Sequence, residues 1–214
     1  MNLELHHFFI LVEPEAKVAE LLLAIGMHEG APNRHKGQGT SNRRFNFSNG
    51  MLELLWVHDH KEAINGPGRN LLFSERVNNN KASPFGVVLS RKDNSKLAMP
   101  FEGWKYEPAY FEPPWAFHIG ENSQTIDEPL CIYMPFIEPQ GTIYTPMEGS
   151  FTSISHVRIS TPSGPLSNVL SIAGAADRLT IENGDQHLME VTFNDKQSGL
   201  SRDLRPDIPL VINW

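Results

Sequence analysis

The chain has 214 residues, of which 40% are hydrophobic and 20% charged, a balance typical of a globular protein and not of a disordered one. Its net charge of -7 argues against a nucleic-acid-binding surface, and no apolar stretch approaches the roughly 20 residues that span a bilayer. We therefore expect neither nucleic acid nor membrane among its partners. The amino-terminal sequence lacks the basic and apolar regions of a signal peptide, and the single cysteine, Cys131, allows no internal disulfide. A cytoplasmic location is the expectation, with Cys131 packed in the core.

The first unit of the chain is predicted from alternating and helical patterns of apolar residues. Strand alternation places His7, Phe9 and Leu11 on one face, and His6 with Phe8 on the other. The predicted elements are a strand over 3–12, a helix over 15–25 after a proline, a loop over 29–40, and strands over 41–47 and 51–57 joined by a turn at 48–50. This order is a strand, a helix and about three further strands.

Two further units repeat this order in weaker form, which indicates a repeated supersecondary unit. The second is predicted to contain a short helix over 70–77, a strand over 84–90, a short helix near 94–98, and strands over 115–121 and 129–137. The third is predicted to contain a strand over 154–160, a helix over 164–173, a hairpin of 178–182 with 187–193 around Asn183-Gly184, and a closing strand over 208–214.

Glu53 is the most informative residue, because it is the one charge in the apolar strand over 51–57. A buried carboxylate is costly unless it is paired, protonated or bound to a metal. One reading is a metal ligand or a catalytic base. The other is a structural ion pair with Arg43 or Arg44 on the neighbouring strand.

A polar row precedes this strand, formed by Asn42, Arg44 and Asn46, and it alternates with Phe45 and Phe47. Amide and guanidinium groups in a row suit a small ligand with a carboxylate or a carbonyl, so Asn42 and Arg44 are candidate substrate-binding residues. A solvated strand face is the alternative. A bulge in this strand would exchange the positions of the two adjacent arginines.

The motifs at 5–12, 37–45 and 51–57, together with 84–90 and 129–138, resemble the glyoxalase-like branch of the vicinal oxygen chelate superfamily. The resemblance implies an α+β fold in which strand-helix-three-strand modules form a curved mixed-sheet cup. It implies paired modules over 1–140, at 1–58 and 84–138 with a linker at 59–83, and a related third unit over 150–214 packed on the same domain. Members of the superfamily are often dimers, so a homodimer is also implied.

The same resemblance implies a divalent metal, Zn, Fe, Ni or Mn, with His7 and Glu53 as ligands. The second module departs from this pattern, because Gly86 stands where its histidine ligand is expected and no glutamate is in register on its last strand. One hypothesis therefore completes the set with His156 and Glu190 of the third unit, which would pair units one and three.

Three functions follow from the resemblance. The first is a metal-dependent lyase, isomerase or dioxygenase acting on a small oxygenated molecule, with Glu53 catalytic. The second is a metal-free protein that binds or sequesters a small molecule, as the bleomycin-resistance type does. The third is a cup without a ligand, in a protein that acts through partners, which a large exposed apolar patch would support.

Overall fold

Two mixed β-sheets form the protein, a computed structural model of which describes residues 2–93, 98–139 and 150–214. The first sheet contains β1 (Leu3–Leu11), β2 (Asn33–His35), β3 (Thr40–Phe47), β4 (Gly50–Val57), β5 (Phe85–Arg91), β6 (Gly103–Tyr106), β7 (Phe117–Gly120) and β8 (Leu130–Tyr133). Its strand order is β2-β3-β4-β1-β5-β8-β7-β6. The second sheet contains β9 (Ile154–Thr161), β10 (Leu179–Asn183), β11 (Leu188–Phe193), β12 (Ser201–Asp203) and β13 (Leu210–Asn213). The helices are α1 (Ala19–Ala24), α2 (His60–Asn65), α3 (Phe73–Val77) and α4 (Asn168–Ala173).

The first sheet has internal symmetry. β1 runs parallel to β4 and β5 runs parallel to β8, while β1 and β5 pair antiparallel at the centre. Beyond each parallel pair, the strands β3 and β7 continue the sheet antiparallel. The predicted α+β fold, a curved mixed sheet in which strand modules repeat, is confirmed.

The first helix is shorter than predicted. A 3-10 turn at Pro14–Ala16 precedes α1, and Glu15 and Ala16 have positive φ angles of 68° and 47°, which interrupt a continuous helix. The linker over 59–83 contains α2 and α3, of which α3 corresponds to the helix predicted over 70–77. The helix predicted near 94–98 falls largely on residues 94–97, which lie outside the described residues.

The predicted hairpin of the third unit is wrong. The strand order of the second sheet is β10-β9-β11-β13-β12, so β9 lies between the two strands that the Asn183-Gly184 signal was expected to join. The helix α4 carries the chain back to a parallel position beside β9, and β11 then pairs with the opposite edge of β9. An apolar strand such as β9, with Val157 and Ile159 at 0% exposure, is thereby covered by a neighbour on each side.

The two faces of the first sheet differ in what covers them. One face shares a single apolar core with the second sheet, to which Phe8, Ile10, Phe45 and Leu54 contribute. The opposite, concave face carries a smaller apolar cluster that includes Phe9, Leu55 and Val88. Within the described residues, the helices are too short or too polar to cross a membrane. The concave face is the one that contains the candidate site.

Candidate functional site

A cavity of about 420 Å³ opens on the concave face of the first sheet, a volume within the range of small-molecule sites. One side is polar and comes from β1, β3 and β4, with His7, Arg44, Asn46 and Glu53. The other side is largely apolar and comes from Phe9 of β1, Phe73 of α3, the strands β5, β7 and β8 and the segment 106–111. Both halves of the sheet therefore contribute to one cavity.

Glu53 lies at the floor of this cavity and is 8% exposed. Its Oε1 accepts a hydrogen bond of 2.8 Å from Asn42 Nδ2, and Asn42 is fully buried. Burial raises the pKa of Glu53 to about 7, and the nearby Arg44 charge and the Asn42 hydrogen bond oppose that rise. The carboxyl therefore changes its protonation state near neutral pH, which makes it a candidate for proton exchange with a ligand.

Arg44 faces the cavity and Arg43 faces away from it, because β3 and β4 pair without a bulge and Arg44 is directly opposite Glu53. The Nε atom of Arg44 donates to the Ala31 carbonyl at 2.7 Å. Arg43 forms ion pairs with Glu29 and Glu20 on the other face. Neither arginine forms an ion pair with Glu53 within 4.0 Å in the described part of the chain, so the predicted structural ion pair is wrong.

The polar row predicted from alternation is placed as expected. Arg44 and Asn46 line the cavity, while Asn42 lies beneath it against Glu53, and Phe45 and Phe47 are buried in the core on the opposite face. Their assignment as substrate-binding residues stays a prediction.

Three histidines border the polar side. A register shift between Leu5 and His7 brings His6 to the cavity beside His7, whereas strict alternation predicted opposite faces. The two rings share a hydrogen bond of 2.8 Å between their Nδ1 atoms, so one nitrogen donates and the other accepts. Burial lowers the pKa of His6 to about 4, and the positive charge of Arg178 adds to this effect. Burial likewise lowers the pKa of His35 to about 4, with a contribution from the positive charge of Arg44. The pKa of His7 is lowered well below its ordinary value, mainly by burial. All three imidazoles are therefore neutral at pH 7.

The apolar side of the cavity is aromatic, and this wall includes Phe9, Phe73, Tyr106, Tyr110, Phe111 and Phe117. Ring centroids lie 5.1 Å apart for Tyr110 and Phe111 and 5.0 Å apart for Phe111 and Phe117. These distances are those of favourable aromatic pairs. We refer to these six residues as the aromatic wall.

Gln38 joins the aromatic wall to the polar side. Its Oε1 accepts hydrogen bonds from the hydroxyls of Tyr106 and Tyr110, at 3.4 and 3.3 Å. Its Nε2 donates to Thr40 Oγ1 at 2.8 Å, and that oxygen is 3.0 Å from His35 Nδ1. Sequence reasoning missed this role, since the 37–45 motif pointed to the fold and the tyrosines lie about 70 positions away.

The donor set does not fit a metal centre enclosed by protein ligands. His7 and Glu53 both line the cavity, and a neutral imidazole and a carboxylate are suitable donors. Within 2–93, 98–139 and 150–214, however, no group of three or more His, Cys, Asp or Glu side chains is arranged to hold an ion. At the position of the missing histidine, the Phe9 ring covers Gly86. Metal ligation by His7 and Glu53 stays a prediction.

The four-ligand hypothesis that includes His156 and Glu190 is wrong. β1 pairs with β5 of the second unit, while β9 and β11 belong to the other sheet. His156 Nε2 is 3.0 Å from Thr180 Oγ1, and Glu190 forms an ion pair of 2.9 Å with Arg158. The similarity of the 188–193 and 51–57 motifs reflects apolar strand patterning and not a shared metal.

A larger cavity of about 820 Å³ lies between the end of β1, α3 and residues 207–209. Of its charged side chains, Lys17, Glu13 and Asp207 are exposed. Arg76 is buried, but its terminal nitrogens donate to the backbone carbonyls of residues 83, 123, 126 and 128. That arginine therefore has a structural role, and the smaller cavity is the stronger candidate site.

Comparison with solved structures supports the fold. A hypothetical protein from Staphylococcus aureus is 14% identical, with 99% of each chain covered and a TM-score of 0.59. A methylmalonyl-CoA epimerase from Streptomyces coelicolor, solved with 2-nitronate-propionyl-CoA, is 10% identical over 62% of this chain and 96% of its own, with a TM-score of 0.42. A mutant of 4-hydroxymandelate synthase from Streptomyces coelicolor is 12% identical over 98% of this chain and 61% of its own, with a TM-score of 0.41.

No family model and no curated protein matches the sequence. The comparison with the Staphylococcus aureus protein therefore supports the overall fold, and the function must be argued from the site itself.

Proposed function

We propose that the cup binds a small molecule whose polar end contacts Arg44 and Glu53 and whose apolar body lies against the aromatic wall. The observation that carries the proposal is the division of one 420 Å³ cavity into a charged side and an apolar side. Cavities of this kind bury most of a small ligand and orient it by a few polar groups.

The charged residues of the cavity favour a ligand whose polar end is anionic or carries a carbonyl group. The Nε atom of Arg44 donates a hydrogen bond to the Ala31 carbonyl. Its two terminal nitrogens donate no hydrogen bond within the described part of the chain. A guanidinium binds a carboxylate through two such nitrogens. Below its pKa of about 7, the Glu53 carboxyl is neutral and donates a hydrogen bond instead of repelling an anion.

The test uses 2-naphthoate and octanoate, two anions with apolar bodies, titrated calorimetrically at pH 6 and pH 8. Arg44→Met should weaken the binding of both by at least about tenfold, because it removes the cation that faces the carboxylate. Arg158→Met removes a charge from the other sheet and should change neither affinity. Binding should be tighter at pH 6, and Glu53→Gln should remove most of that dependence. Equal affinity in wild type and Arg44→Met, or no binding of either anion, would contradict the proposal.

A second candidate function is a metal-dependent enzyme, which the presence of His7 and Glu53 in one cavity favours. An ion there would have only these two protein ligands from the described residues and would polarise a bound oxygen. The metal content of protein purified without a His tag tests this reading. Near-stoichiometric metal that is lost in both His7→Ala and Glu53→Gln would favour the enzyme over the binding protein.

A further inference from the structure

Phe9 occupies the centre of the cup floor. It lies on β1, the central strand, where its Cα is in register with Glu53 of β4 on one side and with Gly86 of β5 on the other. Its side chain is 3% exposed and lines the cavity. Any ligand that reaches Glu53 from the apolar side must therefore pass over or beside this ring.

The Phe9 ring lies over Gly86 of β5, in the second half of the sheet. A Cβ atom placed on Gly86 would overlap this ring, since the three nearest atoms all belong to it. The ring also contacts Phe73 edge-to-face, with centroids 5.9 Å apart. Glycine at position 86 is thus explained by close packing, because any side chain there would have to displace Phe9.

The two halves of the first sheet contribute different kinds of side chain to the cavity. The position from which a second-module side chain would reach the cup centre is filled by a phenyl ring, and the strands beside it contribute Val88, Ile132 and Met134 to the cavity. Imidazole and carboxylate groups in the lining therefore come only from the first half, and the oxygen atoms that Tyr106 and Tyr110 add to the other side are hydroxyls that donate to Gln38. An ion at the cup centre would face hydrocarbon on its other side, which is unfavourable for a divalent cation.

We infer that Phe9 has replaced the second half of a metal site with an aromatic floor, and that the cup takes a planar aromatic molecule with one polar or anionic substituent, without a metal. This inference rests on the proposed function and adds the class of ligand to it. The ring of the ligand lies against Phe9 and the rest of the aromatic wall, where edge-to-face contacts favour an aromatic body over an aliphatic one. Its substituent lies at Arg44 and Glu53.

The experiment compares 2-naphthoate with octanoate on chelator-treated protein, by calorimetry. Both probes carry one carboxylate, so the ratio of their dissociation constants isolates the contribution of the rings. We expect wild type to prefer 2-naphthoate by about tenfold, the effect of one or two aromatic pairs. Phe9→Leu should weaken the binding of 2-naphthoate more than that of octanoate and so reduce this preference several-fold. Co(II) is titrated in parallel, since its visible absorption reports histidine ligation.

The outcomes separate this inference from the proposed function. Equal affinity for the two anions, with both weakened by Arg44→Met, overturns the inference that the ligand is aromatic and leaves the proposed function standing. Stoichiometric Co(II) binding that is lost in His7→Ala, or naphthoate binding that requires added metal, overturns the inference that the cup binds its ligand without a metal. Absence of binding by both anions overturns the proposed function as well. A tenfold preference in wild type without added metal supports the inference even if Phe9→Leu does not fold.

Discussion

At the scale of single residues, Glu53 makes stability depend on pH in a defined direction. Its pKa is raised by burial from 4.5 to about 7, so the folded state holds the proton more tightly than the unfolded chain does. The stability that this proton contributes to the folded state is complete below about pH 4.5 and is lost as the pH rises to about 7. The difference between the two pKa values corresponds to about 3 kcal/mol in the free energy of unfolding.

Glu53→Gln should remove this loss. Between pH 4.5 and 7.5, urea unfolding of wild type should lose about 3 kcal/mol relative to the variant, which keeps the acceptor for Asn42 but does not titrate. Glu75→Gln, at an exposed position of α3, is the matched control and should follow wild type. Parallel pH profiles for wild type and Glu53→Gln would show that Glu53 is not a buried titrating group.

Gly86 and Phe9 should behave as a coupled pair. Gly86→Ala should cost about 1–3 kcal/mol in unfolding free energy, because the added methyl group overlaps the Phe9 ring. In the double variant Phe9→Leu with Gly86→Ala, the smaller side chain leaves room for that methyl group. A double-mutant cycle by chemical denaturation should therefore give a combined cost smaller than the sum of the two single costs. Strict additivity would contradict the packing described here.

Residue roles were partly predictable from the sequence. Alternation along β3 was enough to place Arg44 and Asn46 in the cavity and Phe45 in the core, because a strand without a bulge follows a period of two. His6 could not be placed in this way, since the bulge in β1 depends on its pairing with β5. The hydrogen-bond partner of Glu53 also required the fold, because it is Asn42 and not one of the two arginines that follow Asn42 in the sequence.

At the scale of elements, Gln38 is expected to hold the aromatic wall against the polar side. It is 6% exposed, and Gln38→Met preserves its volume while removing the acceptor of two tyrosine hydroxyls and one of the two hydrogen bonds of Thr40. A loss of about 1–3 kcal/mol is expected in unfolding free energy. Hydrogen exchange should also accelerate over residues 106–111 more than elsewhere in the molecule.

Gln124→Met is the control for this change. Gln124 is exposed, and its Nε2 donates to the Asn70 carbonyl at 3.3 Å, so its loss should leave the exchange of 106–111 unchanged. Unaltered exchange in Gln38→Met as well would mean that the tyrosines are held by ring packing alone.

Most elements were predictable, because their apolar periods are local properties of the chain. Their pairing was less so. The Asn183-Gly184 signal predicts a hairpin, but the crossover through α4 places β10 on the outer side of β9. Local turn chemistry cannot show which strand already occupies the neighbouring position, and the same limit hid the antiparallel contact of β1 with β5.

At the scale of the whole molecule, Arg178 connects the two sheets. Its terminal nitrogens donate to the carbonyls of Asn49 and Leu5, at 2.8 and 2.6 Å. Asn49 adds a reciprocal pair of hydrogen bonds with the Ile154 backbone, at 2.9 and 2.8 Å. These contacts hold the second sheet against β1 and against the turn between β3 and β4.

Arg178→Met should destabilise the protein by about 2–3 kcal/mol, because two charge-assisted hydrogen bonds to backbone carbonyls are lost. Unfolding followed by fluorescence and by far-UV circular dichroism should still give coincident transitions, since the sheets share one core. Arg158→Met is the matched control and should cost far less than Arg178→Met, because its ion pairs are exposed. Two separate transitions in Arg178→Met would show that the shared core does not couple the sheets.

A ligand site in the cup is tested most directly by methyl NMR of the intact protein during titration with 2-naphthoate. We predict shifts for the methyl groups of Leu55, Val88, Ile132 and Met134, which line the cup cavity, with saturation at one equivalent. The methyl groups of Leu21, Val77 and Ile208, which line the larger cavity, should stay unchanged. Shifts confined to that second set, or no saturable shifts at all, would contradict a ligand site in the cup.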